Sequence, residues 1–292
     1  MKSLIKSFII AILVAALYSR MDNATWGTYV GATLGFIATY FWLARGTNKK
    51  LMEIVNASQA HIQDTQNKVQ KKLNGMQNRP GTNPVAARKT LEAMQVKGIE
   101  EAIEMLAPAK ELEGDSFLVS KQISTIKYQL YFGIKDFKAT DELEPKIMLL
   151  DPQMVVMRMA REWMRSPIKK QADGKISQKE LDALELTKLY KKGLFRAKGA
   201  TASILYSTYA WMLLKAGQEK KSLDILLTAL EKCPDEAIKA NVDALRNNQA
   251  AKFSNKSYGD RWYALHLEEP KQPKAQKQQM RRGKNNRGFQ PF

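Results

Sequence analysis

Hydrophobic and polar positions divide this chain into an uncharged opening and a long remainder patterned on a helical period. Residues 23 to 44 (NATWGTYVGATLGFIATYFWLA) run for 22 positions without a charged side chain. At about 1.5 Å of rise per residue, a helix of that length reaches across a hydrocarbon core of roughly 30 Å. A second apolar stretch, Ser7 to Ser19, follows Lys2 and Lys6. Alone it has the charged and apolar start of a secretory signal peptide, yet its Leu17-Tyr18-Ser19 end lacks the small-x-small pattern of a cleavage site. The pattern therefore predicts an uncleaved transmembrane helical hairpin over 1–46, integral to a lipid bilayer. Basic residues flank one side of it: Lys2 and Lys6 before, Arg45, Lys49 and Lys50 after. By the positive-inside rule the N-terminus and the C-terminal part are then both cytoplasmic, at the plasma or inner membrane.

Gly27, Gly31 and Gly35 recur every fourth residue and draw a smooth stripe along the second helix. Such a stripe lets another backbone approach, either the first helix of the hairpin or a second copy in a homo-oligomer. Trp26, Tyr29, Tyr40 and Trp42 lie toward the two ends, as interfacial aromatic residues do.

From Thr47 to Gln77 the chain is polar, with Leu51, Val55, Ile62, Val69, Leu73 and Met76 returning to one side of a helix. Ser58 and Thr65 stand at two positions where that side should be apolar, so a coiled-coil seam is weak and a solvated juxtamembrane helix is the competing expectation. Two prolines and a glycine in Asn78 to Pro84 mark a linker, closing a segment over 47–85. Beyond it, Ala, Leu, Met, Glu and Lys dominate and no strand pattern persists, which predicts an all-α domain over 86–250.

The most specific signal occupies 203 to 236 (SILYSTYAWMLLKAGQEKKSLDILLTALEKCPDE). Ala210, Leu213, Gly217, Ser222, Leu226, Ala229 and Pro234 are spaced as small, large, turn glycine, small, large, alanine and closing proline. In this the segment resembles a tetratricopeptide repeat, with Tyr206 and Tyr209 in place of that pattern's Trp and Leu. The resemblance implies an α-solenoid that holds a protein partner, and implies no chemistry. Weaker echoes fall at Lys97 to Glu111 and Thr125 to Pro152, expected as helix pairs. At Asp173-Gly174 an EF-hand loop is partly matched, but Lys169 stands where its first carboxylate belongs, so a turn followed by a Ser177–Glu180 capping box is the simpler expectation.

Near the end, Tyr258, Trp262, Tyr263 and Leu265 predict a capping segment over 251–270 that covers the apolar end of the solenoid. The tail, 271–292, carries Lys271, Lys274, Lys277, Arg281, Arg282, Lys284 and Arg287 and no acid, a composition expected to stay disordered. Those cations suit anionic lipid or the phosphates of RNA.

Composition narrows the chemistry. With 47 Lys+Arg against 29 Asp+Glu the net charge is +18, and seven of those charges sit on the tail. One cysteine, Cys233, and two histidines, His61 and His266, leave little for a disulfide framework, a metal centre or a triad. The pairs Glu100-Glu101 and Glu268-Glu269 read as solvated charge. No cofactor and no enzymatic activity are expected. The sequence points to a membrane-anchored scaffold that binds a partner protein, or alternatively to a nucleic-acid- or ribosome-tethering protein working through the tail.

Overall fold

The computed structural model describes residues 2–19, 26–77, 84–115, 117–166 and 185–270, and among these no strand occurs. The helices are α1 (Lys2–Ser19), α2 (Trp26–Gln77), α3 (Pro84–Glu104), α4 (Phe117–Gly133), α5 (Phe137–Leu143), α6 (Pro152–Arg165), α7 (Leu186–Leu194), α8 (Ala200–Lys215), α9 (Glu219–Lys232), α10 (Glu236–Arg246) and the single turn α11 (Asp260–Tyr263). They build two compact units, one from 1–159 and 187–205, the other from 160–186 and 206–292.

The all-α composition stands, but the transmembrane hairpin does not. Among the described residues no helix is long and apolar enough to cross a membrane. Uncharged is not the same as apolar. The 23–44 stretch dilutes its aliphatic content with Thr25, Thr28, Thr33, Thr39, three glycines and two tyrosines. In α1, Lys2, Ser3, Lys6 and Ser7 use up the first two turns, leaving too short an apolar run for a core of about 30 Å. Membrane anchoring is withdrawn, and with it the placement in the plasma or inner membrane.

Gly31 and Gly35 of the glycine stripe do not pack against α1 within the chain. A side chain built at Gly31 or Gly35 would meet nothing within 4 Å, so neither glycine seats α1. Of Gly27 only the helical backbone is described. Instead α1 meets α2 through rings: Phe8 packs edge-on to Phe36 at 6.5 Å, and Phe36 stacks on Tyr40 at 6.5 Å.

The C-terminal half of α2 is neither a coiled-coil seam nor a solvated helix. Its polar seam positions are where α3 docks. Ser58 Oγ donates to the Ala102 carbonyl (2.9 Å), His61 Nε2 lies 3.0 Å from Glu101 Oε2, and Thr65 faces Gly98. As the α2 number rises the α3 number falls, so the two helices run antiparallel. A β-carbon at Gly98 would fall 2.4 Å from Thr65 Cγ2, so only glycine permits this crossing. One turn earlier, Leu51 and Val55 join a core with Leu106, Ala109, Val119 and Ile123.

Pro108 diverts the chain after α3 into a 3-10 turn, Ala107–Gly114. The echo at 97–111 is therefore the end of one helix plus that turn, not a helix pair. The echo at 125–152 is the end of α4, the short α5 and a 3-10 turn at Glu144–Lys146.

In the second unit, Trp211 makes edge contacts with Trp163 (5.9 Å) and Trp262 (5.6 Å). Glu268 closes this cluster: Oε1 accepts from Trp211 Nε1 (2.9 Å) and Oε2 from Trp262 Nε1 (3.1 Å). Glu268 is thus a structural acceptor rather than solvated charge, as Glu101 is a partner for His61.

Candidate functional site

In the first unit, α4, the segment 147–150 and the end of α7 enclose an open concavity of about 580 Å³. Leu118, Ile147, Met148, Leu149, Leu150 and Phe195 form its apolar lining; Lys121, Lys192 and Arg196 form its polar one. Among the described residues no carboxylate lines it. Volumes of this order suit a ligand or an anchoring side chain.

The local sequence explains why each wall stands where it does. Leu186, Leu189, Tyr190 and Gly193 point inward along α7. At Gly193 a β-carbon would come within 2.8 Å of Leu205 and 3.0 Å of Val155, so the helix end lies directly on those side chains. Phe195 falls off this inward stripe and is 88% exposed. Lys192 and Arg196, four residues apart, flank it on the same side and are both exposed. The facing wall is fastened to α4 by Thr125, whose Oγ1 accepts from the Met148 N–H (2.9 Å) while donating to the Lys121 carbonyl (2.7 Å). An ion pair of Arg158 with Glu144 holds the turn that leads into this wall.

Two exposed cations, Lys192 and Arg196, an aromatic ring in water and an aliphatic floor make a surface for binding. Among the described residues the lining offers no nucleophile with a base and no paired carboxylates. Among the described residues no group of three or more His, Cys, Asp or Glu is placed to hold a metal ion.

None of these lining residues was singled out from the sequence. The available signal was KKGLFR at 191–196: an aromatic residue just past the end of a helix and off its buried stripe, bracketed by cations four residues apart.

The repeat-like residues occupy a different place. Tyr206, Tyr209, Ala210, Leu213, Ser222, Leu226 and Ala229 are all buried, so they build the core of the second unit. Ser222 Oγ donates to the Ala210 carbonyl at 2.8 Å, and Gly217 takes φ of 74° at the turn between α8 and α9. Pro234 follows the end of α9 and precedes Asp235, the N-cap of α10. Asp235 Oδ1 accepts from Ala237 N (2.8 Å) and from the Tyr258 hydroxyl (3.3 Å), and that hydroxyl lies 2.9 Å from Ser207 Oγ. Burial raises the Tyr258 pKa well above the usual phenol value, with the Asp235 charge adding to it. Asn255 donates to the Ser207 carbonyl (3.1 Å), and Asn241 exchanges hydrogen bonds with Ser254 (3.2 and 2.8 Å). Residues 254–268 are fastened in this way onto α8 and α10.

The basic residues Lys271 to Arg287 of the tail, the 165–183 segment beyond Ser166 and most of the 78–84 linker lie outside the described residues. Compared with protein-family models, curated proteins and solved structures, the chain finds no match in any of the three. The tetratricopeptide resemblance therefore rests on the residues of 203–236 alone.

Proposed function

We propose that this chain is a non-enzymatic adaptor whose helical scaffold presents the groove around Phe195 to a partner protein. The observation that carries this is the 88% exposure of Phe195 beside Lys192 and Arg196, above an aliphatic floor. A lone exposed leucine is ordinary on a protein surface, but aromatic and arginine side chains set in one concavity match the composition of interface hot spots. The burial of the repeat-like side chains supports a scaffolding role for them, with recognition assigned to the groove instead.

Affinity capture with the full chain and with a Phe195→Ala, Arg196→Ala variant, compared quantitatively in native extract, tests the proposal. A protein enriched by the wild type and at least about tenfold depleted by the variant is the expected result, since hot-spot truncation costs 2 kcal/mol or more. Identical capture by both forms would overturn it. Tethering to nucleic acid through the tail remains the alternative function; its residues, 271–292, are outside the described set.

A further inference from the structure

Resting on that adaptor reading, we infer that the groove receives an acidic, amphipathic peptide segment of the partner, its apolar side chains meeting Leu118, Leu150 and Phe195 and its carboxylates meeting Lys192 and Arg196.

Charge complementarity selects the sign. Among the described residues every charged lining residue is a cation, and the chain as a whole carries +18, which steers anionic partners toward it. A carboxylate entering this groove meets the Arg196 guanidinium as a planar fork able to take two hydrogen bonds. A basic segment would meet the like charges of Lys192 and Arg196 instead.

The apolar lining selects the class of ligand. Five aliphatic side chains and one phenyl ring form a floor for Leu, Ile or Phe knobs. One ring is too few to stack successive bases, which disfavours a nucleic-acid strand. Leu118 and Leu150 are about half exposed (49% and 53%) and Phe195 more so, leaving apolar area on both walls for an incoming segment to cover. An amphipathic helix with anchors at i, i+3, i+4 and i+7 meets both demands, since its acidic residues then line the edges of its apolar stripe.

The walls are also built in advance. Gly193 seats the end of α7 against Leu205 and Val155, and Thr125 ties the Met148 backbone to α4. A ligand binding between fixed walls orders little that was free, which conserves affinity.

The test uses the full chain and a fluorescent peptide of roughly 12 residues with Leu and Phe at helix-groove spacing and Glu elsewhere. Its companions are the same peptide with Lys for Glu, an oligothymidylate of similar length and phosphatidylglycerol vesicles. Anisotropy is expected to show binding of the acidic peptide alone, weakened about tenfold by Phe195→Ala and as much by Lys192→Glu with Arg196→Glu. The double charge reversal should in turn bind the lysine peptide, a gain that unfolding cannot mimic. Equal binding of acidic and basic peptides, preference for the oligonucleotide or the vesicles, or indifference to the charge reversal would overturn the inference. A Phe195-dependent partner in the capture experiment together with no acidic-peptide binding would sink the ligand class and leave the adaptor standing. Loss of the capture result itself would remove the adaptor.

Discussion

Glu268 shows how much a single side chain can carry when two buried donors converge on it. Trp262 is fully buried and Trp211 nearly so, and both indole N–H groups end on this one carboxylate. Glu268→Ala leaves both donors without their acceptor, at about 1–3 kcal/mol for each buried one. Chemical denaturation followed by tryptophan fluorescence should show the second unit losing about 2 kcal/mol or more, with Glu268→Gln, which keeps one acceptor oxygen, losing less. From sequence, Glu268 and Glu269 differ in nothing; only the folded positions of residues some 60 and 6 places earlier separate them. Tyr258 gives a pH dependence. Burial raises its folded pKa above the ordinary phenol value of about 10, so its contribution to stability is complete below pH 10 and declines as pH rises beyond it, where only the unfolded chain readily loses the proton. Thermal midpoints measured from pH 8 to 11 should fall at the alkaline end, and Tyr258→Phe should flatten that fall. An unchanged alkaline slope in the Phe variant would refute the assignment.

At the scale of elements, periodicity in the sequence located helices well and their partners poorly. The apolar positions of 51–76 announced a helix, and the helix exists. What they could not announce is that Ser58, His61 and Thr65 are the docking face, because polar side chains at seam positions look like defects until α3 is placed against them. Gly98 sits opposite Thr65 at the same crossing. Gly98→Ala would gain helix propensity of about 1 kcal/mol yet set a β-carbon 2.4 Å from Thr65 Cγ2 and 2.9 Å from its Cβ. Thr65 Cβ cannot rotate away, so α3 has to shift, and overpacking of this kind costs about 1–3 kcal/mol. The variant should show faster amide exchange across 58–65 and 94–102 with the second unit unaffected. The α8–α9 pair was legible in more detail, since the spacing from Ala210 to Pro234 marks both buried faces and the glycine turn. The spacing does not say which surface of the pair, if any, meets a partner; the structure places its marked small and large side chains in a core. Ser222→Ala removes the hydrogen bond to the Ala210 carbonyl and should destabilise the second unit by about 1 kcal/mol in urea denaturation.

For the molecule as a whole, the largest misjudgement came from treating the absence of charge as hydrophobicity. Threonine, glycine and tyrosine remove charge without supplying the aliphatic surface that a hydrocarbon core requires. The described parts of α1 and α2 nonetheless leave Phe8, Leu13, Leu34, Phe41 and Trp42 exposed. The net charge of +18 was legible at once, but the pairing of Lys192 and Arg196 beside Phe195 depends on which faces the fold turns outward. Recognition at the groove is the claim on which the functional account depends. Its most direct measurement is photocrosslinking in intact native cells, with a photoreactive amino acid replacing Phe195 and, for comparison, Lys220 on the exposed face of α9. The account predicts a discrete covalent adduct to one protein from position 195, mapped by mass spectrometry to an acidic segment, and none to that protein from position 220. No discrete adduct from position 195, or the same adducts from both positions, would contradict it.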